Sequence, residues 1–217
     1  PVCRAGSWDG RTAPRSEIRW EIEWAFSMQA DDGRVYHKLS QTDFKFWGPP
    51  DQDRAPRFFS PWSTAATADF AAMMAETARA WRPYDPAFAD RCLAAARKSW
   101  RCLAQHPRAV EADLTAFHTG AYQVKDLSHR LWAAAELWET TNEPEFLAAF
   151  EQEAGALSFH FQPEGPGWSD ARDLAFDTYL RSSHPDGRNP DIVAQLTQSL
   201  LGEADSIVKA SQNNGYA

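Results

Sequence analysis

Ser63-Thr-Ala-Ala-Thr-Ala-Asp-Phe-Ala-Ala72 runs on to Trp81 without a glycine or proline. Ser63 or Thr64 supplies an acceptor cap. Ala65, Ala66, Ala68, Ala71 and Ala72 favour helix and let a neighbouring backbone approach closely. The stretch therefore predicts a helix to about Trp81 built to pack against other helices. On its carboxyl side, Asp85-Pro86 gives another start signal, a cap followed by a first-turn proline. That third helix runs to about Gln105 and stops before Pro107. Phe88, Cys92, Ala95 and Ser99 share one of its faces, and Leu93, Ala96, Trp100 and Leu103 make the adjacent row.

Further out the pattern repeats. Leu127, Leu131, Ala134 and Trp138 form the apolar stripe of a fourth helix, to about Thr140. Pro144 opens a fifth through about Leu157. A Gly/Pro loop with Trp168 leads to a sixth, capped by Ser169 or Asp170. The last starts at Asn189-Pro190 and carries Ile192, Val193, Leu196 and Leu200 towards about Ala210. On the amino side, Ser16 caps a first helix with Ile18, Ile22 and Ala25 at helical spacing beside Trp20 and Trp24. Residues 1–15 read as an irregular lead-in. A loop from Ala30 to about Trp62 holds Asp31-Asp32-Gly33 and Phe46-Trp-Gly-Pro-Pro50, with room for a short strand at Val35-Tyr36. A loop of ~30 residues inside a domain tends to be functional. About seven helices with almost no strand signal give an all-α class of stacked helical hairpins. No strict repeat is visible, which disfavours a consensus solenoid and leaves a helical toroid or an irregular bundle.

Composition narrows the partners. The 217 residues are 43% hydrophobic and 24% charged, and the formal net charge is -8. Lys and Arg are scattered, so nucleic acid, which is held through clustered basic groups, is excluded as a partner. No apolar run reaches the ~20 residues that span a bilayer, so no membrane partner is expected. Cys92 and Cys102 sit ten apart on one predicted helix, ~15 Å by the helical rise and too far for a disulfide. Buried free thiols are expected. Ten tryptophans suit a packed core and equally suit sugar clefts, where a pyranose face stacks on indole.

Three segments together resemble glycoside hydrolase family 9. They are Ile18-Arg-Trp-Glu-Ile-Glu-Trp24 with Met28-Gln29 and Val35-Tyr-His-Lys38; Ser63–Ala72 with Ala94-Ala-Ala-Arg-Lys-Ser-Trp100; and Thr119-Gly-Ala-Tyr122 with Arg130-Leu-Trp-Ala-Ala-Ala-Glu-Leu137 and Thr140-Thr141. Trp168-Ser-Asp170 is a weaker fourth. The resemblance implies part of an (α/α)6 toroid, with 1–217 as an incomplete family 9 catalytic domain. It also implies a secreted enzyme that hydrolyses β-1,4-glucan with inversion and needs no cofactor. The expected partner is a β-glucan oligosaccharide or polysaccharide. Self-association would cover helix faces left exposed in a partial toroid.

Inversion needs two carboxyl groups about 6.5–9.5 Å apart. In the family the base belongs to an aspartate pair in a Gly-containing motif, and the acid is a glutamate near the domain's carboxyl end. Neither motif occurs here, so the catalytic residues stay unassigned and the chain reads as an internal piece, inactive alone. Gly6-Ser-Trp-Asp-Gly-Arg11 only faintly resembles the aspartate motif, through Asp9. Asp69, Glu136, Asp170 and Asp173 read as caps or solvated faces. The binding residues implied are His37, Trp47, Tyr122 and Trp168. A family calcium site uses a Ser/Thr-Gly pair, an Asp-Glu pair and a later Asp. Thr119-Gly120 is kept, but the Asp-Glu pair falls on Ser128 and His129, so no metal is expected. His118, His129 and His160 lack zinc spacing. A non-catalytic glucan binder, a helical scaffold and an enzyme for another β-glycoside, such as a glucosamine oligomer, are the alternative readings.

Overall fold

In the computed structural model, residues 13–163 and 165–213 are described. Seven α-helices are found among them: α1 (Ala13–Ala25), α2 (Thr64–Trp81), α3 (Pro86–Gln105), α4 (Leu127–Thr141), α5 (Pro144–Ala154), α6 (Arg172–Leu180) and α7 (Pro190–Asn213). Among the same residues a small sheet pairs β1 (Leu39–Ser40) with β2 (Phe58–Phe59) in antiparallel fashion.

The caps fall where local chemistry puts them. Ser63 accepts the Ala66 N–H and Asp85 accepts the Phe88 N–H. At α6 the N-cap falls on Ala171, not on the expected Ser169 or Asp170, and Asp170 Oδ1 instead accepts the Arg172 N–H at 3.0 Å from just ahead of it. Asn142 ends α4 in the left-handed conformation, a short polar side chain where a bulky one would be strained. Three boundaries differ from expectation. The first helix begins at Ala13, ahead of Ser16; the fifth closes with a tighter turn over Gly155–Leu157; and the last runs to Asn213. Helix ends fray by a residue or two under any reading.

The expected strand at Val35-Tyr36 resolves into two single bridges, Gln29 with Val35 and Tyr36 with Trp62. The ladder proper forms three residues on, at β1. The long loop is therefore a flap pinned at its base. Gly33, at φ +91°, makes the sharp turn beneath it. A Cβ there would lie 2.5 Å from the Lys98 carbonyl oxygen of α3, so the turn docks only because glycine has no side chain.

α4 is the hub. It packs on α2, α5 and α6, while α2 also packs on α3. Ala68, Ala71 and Ala72 of α2 meet Ala133 of α4 with no exposure at any of the four. Small residues let the two helices approach closely, as the alanine-rich stretch requires. Larger side chains build the main core: Met74 and Phe88 from α2 and α3, and Leu131 and Trp138 of α4 with Phe146, Phe150, Phe176 and Tyr179. The Phe150 and Tyr179 rings stack at 4.5 Å. Cys92 and Cys102 are buried free thiols, and burial pushes Cys92 up to about 11.

Because α4 is enclosed on several sides, polar residues off its apolar stripe are buried as well. Glu136, read above as capping or solvated, is 3% exposed. Its Oε2 pairs with Arg79 of α2 at 2.7 Å, and its Oε1 accepts the Thr178 hydroxyl of α6 at 2.7 Å. Asp173 is likewise buried and accepts the Gln162 N–H. A carboxylate survives burial when its oxygens are all engaged. No described helix is long and apolar enough to cross a membrane.

Candidate functional site: an aromatic groove at the head of α2 and α4

Two pockets, of about 340 and 240 Å³, share Asp69 and Trp168 and so form one groove. The smaller is also lined by His37, Ala65, Ala66, Tyr122 and Val124. The larger adds His129, Trp132 and the Pro166-Gly167 turn. Tyr122 and Trp168 are 59% and 66% exposed. Their rings meet edge to face, with centroids 5.4 Å apart and planes at 83°.

Local sequence sets the two aromatics. Tyr122 takes a positive φ of 53°, a conformation that costs a non-glycine residue of order 1 kcal/mol or more. Its ring folds back over Gly120, where a Cβ would lie 2.7 Å from the ring. The Thr119-Gly-Ala-Tyr122 loop is therefore shaped to present that ring. Trp168 sits in a tight turn closed by reciprocal backbone hydrogen bonds between Gly167 and Asp170.

His37 lines the groove with its ring committed. Its Nε2 lies 2.7 Å from the Ala121 carbonyl, which only accepts, so Nε2 donates there. Its Nδ1 lies 2.9 Å from the Ser63 hydroxyl. The imidazole thus ties the flap, the head of α2 and the Tyr122 loop together. Trp47 lies on the flap between β1 and β2, 92% exposed, and lines neither pocket. Three of the four residues chosen from the sequence therefore converge, and Trp47 stands apart. Asp9 lies outside the described residues.

Asp69, His129 and Trp132 also line the groove, and the sequence reading gave none of them a site role. His129 is 2% exposed, and its Nδ1 bonds Asp69 Oδ1 at 2.6 Å. Burial opposes a charged imidazole, but the Asp69 carboxylate outweighs it and holds His129 above its ordinary value. His129 Nε2 is buried without a hydrogen bond of good geometry, although the Ser169 backbone lies near enough to favour the charged ring. One signal was available: His129 and Glu136 lie two turns apart on α4, flanking its apolar Leu131–Ala135 run.

The residues at the family's calcium positions do not fit that ion. The Gly120 carbonyl and the Thr119 hydroxyl accept Lys38 Nζ at 2.6 and 2.8 Å. Ser128 Oγ accepts the Ala171 N–H, and His129 faces Asp69. Asp170 accepts Arg172 at 2.9 and 2.7 Å, and Asp126 accepts Arg130 at 2.6 Å. Burial disfavours charge on Asp170, yet Arg172 holds it below the usual carboxylate range. Calcium needs six to eight oxygens, and here the oxygens already serve side-chain cations. Among the described residues no group of three or more His, Cys, Asp or Glu could hold a metal.

The hairpin stack belongs with the (α/α)6 barrels among solved structures. The chain is a member of Glycosyl hydrolase family 9, whose model matches residues 9–216. It is 45% identical over 203 residues to Endoglucanase D of Acetivibrio thermocellus, across 92% of this chain and 32% of that relative. It superposes on the family 9 endoglucanase J30 with a TM-score of 0.82 at 30% identity, covering 92% of this chain and 37% of that one. AaCel9A, solved with a cellobiose-like isofagomine, gives 0.81 at 30% identity, covering 97% and 39%. The chain thus spans about a third of the length of Endoglucanase D.

Proposed function

We propose that this protein is an endo-β-1,4-glucanase and that the groove between Tyr122 and Trp168 carries glucosyl units of the chain it cuts. The observation behind this reading is the pair of exposed aromatic rings, one on a strained backbone, over a groove in a family 9 framework. Equatorial hydroxyls leave both faces of a β-glucosyl ring apolar, so such rings stack on indole and phenol. The AaCel9A structure, with its cellobiose-like ligand, supports a β-glucan partner.

The groove contributes binding. Hydrolysis with inversion requires two carboxyl groups, and among the described residues a single carboxylate, Asp69, lines it. Trp168 and Tyr122 then act as platforms, and His37 fixes the loop that carries Tyr122. Trp47 takes part as a platform on the flap, where its exposure leaves one indole face open to a long glucan. Glucan polymers do not cross membranes, so the enzyme works outside the cell. Exposed rows on α1 (Trp20, Trp24) and α7 (Leu201, Ile207, Val208) support self-association, since such patches are costly in water.

The test is titration of the chain with cellohexaose, followed by tryptophan fluorescence and calorimetry. Saturable binding that Trp168→Ala weakens about tenfold or more is expected, in line with about 1.5 kcal/mol for a well-packed aromatic contact. No binding, or binding indifferent to both Trp168→Ala and Tyr122→Ala, overturns the reading.

A further inference from the structure

Asp69 uses only part of its bonding capacity. Oδ1 is held by His129, and no other hydrogen bond to this carboxylate is found among the described residues. Its side chain is 44% exposed, whereas its partner is 2% exposed. Asp69 and Trp168 are the two residues shared by both pockets. A carboxylate has about four acceptor positions, so Asp69 offers free lone pairs at the middle of the groove.

The histidine behind it is held firmly on one side only. His129 Nε2 is buried with no hydrogen bond of good geometry and has just the Ser169 backbone near it. What it retains is one short bond that fixes the direction of Asp69. Among the described residues Nε2 shares this state with Arg188 Nε, but of the two only His129 lines the groove, and a local rule broken there points to a site shaped for something else. The buried carboxylates, by contrast, have structural partners: Glu136 holds Arg79 and Thr178, Asp126 holds Arg130, and Asp173 takes a backbone N–H.

We propose that Asp69 is a sugar-binding residue that accepts hydrogen bonds from the rim hydroxyls of a neutral β-linked glucosyl unit, with His129 as its positioning residue. The inference rests on the groove being a glucan site, as argued above. The chemistry follows from the surroundings. Trp168, Trp132 and Tyr122 offer apolar ring surfaces around the groove. A pyranose stacked on one of them turns its equatorial hydroxyls outward in the ring plane. Those hydroxyls are donors, and an acceptor-only group beside the platform meets them. The imidazole behind Asp69 offsets its charge, so the pair suits a neutral polyol better than a cationic amino sugar.

Calorimetric titration of the full chain with cellotetraose tests this, with the native protein, Asp69→Asn, Asp69→Ala and His129→Gln compared at pH 6. Asp69→Ala should weaken binding tenfold or more, as expected for losing a hydrogen bond to a charged group. Asp69→Asn, near-isosteric and keeping one acceptor, should weaken it less, and the melting temperature controls for folding in each case. Cellotetraose analogues lacking single hydroxyls separate contact from scaffold. One analogue should bind the native chain weakly yet lose nothing further with Asp69→Ala, a coupling that a structural role does not produce. Binding by Asp69→Ala within twofold of native, with Trp168→Ala still disruptive, sinks this inference and leaves the groove standing. A native chain that binds no glucan sinks both. Tighter binding of a glucosamine tetramer than of cellotetraose overturns the neutral-sugar assignment.

Discussion

Arg79→Met removes the cation from the junction of α2, α4 and α6 and keeps most of the alkyl stem. Glu136 Oε2 then loses its 2.7 Å guanidinium partner, and Thr140 loses the second arm at 2.9 Å. Glu136 stays buried at 4% side-chain exposure, holding only Thr178 at 2.7 Å and the Trp132 indole at 3.3 Å, both on Oε1. Breaking a buried pair from one side costs about 3–5 kcal/mol. Arg79 is 35% exposed, so water reaches part of the vacated space, and two donors remain. Both facts favour the lower end, about 3 kcal/mol. At roughly 2–4 °C per kcal/mol for a chain of this size, the melting temperature falls by roughly 6–12 °C. Urea unfolding followed by tryptophan fluorescence measures the loss directly, with an unchanged m-value as the sign that the denatured state is the same. Adding Glu136→Leu to Arg79→Met should recover part of the loss, because the uncompensated charge is gone. A single-variant loss below about 1 kcal/mol, or a double variant no more stable than the single, refutes the reasoning and makes the pair a surface bridge in its energetics.

Gly33→Ala should destabilise by about 1–3 kcal/mol, since its Cβ meets the Lys98 carbonyl oxygen at 2.5 Å and its φ is +91°; unfolding midpoints equal to native would disprove that turn. His129 is raised above its ordinary 6.5 by Asp69, so this stabilisation is fully present below that value and is lost as pH rises through the folded one. The stability gap between native and Asp69→Asn should accordingly be widest near pH 6 and narrow towards pH 9, and a gap that widens instead would rule the ion pair out. Millimolar calcium, or EDTA, should leave the melting temperature unchanged within about 1 °C, because Lys38 and Arg172 already occupy the relevant oxygens; a rise of several degrees with calcium would contradict this.

What the residues alone decided was local. Ser63 and Asp85 cap, Pro86 and Pro144 start, and alanine, leucine and tryptophan recur at helical spacing, each a matter of contacts within about four residues. Six helices begin within a residue or two of the expected positions, and only the first starts earlier. The membership of the family was legible too, because it rests on the order of several short segments. Tyr122 and Trp168 were reached the same way.

What only the tertiary structure decided is which groups face one another. The groove is closed by contacts between positions 60 and 84 apart, Asp69 with His129 and His37 with Ala121, and no local preference encodes such a separation. Asp69 looks like any polar helix residue until α4 is laid beside α2. Glu136 looks solvated until α2, α5 and α6 enclose its helix. Trp47, chosen for its loop, lies on the stretch between β1 and β2, and the fold puts no part of that stretch in the lining of the groove. Periodicity reports how much of a helix is apolar, and the packing of its neighbours decides how much of it is buried.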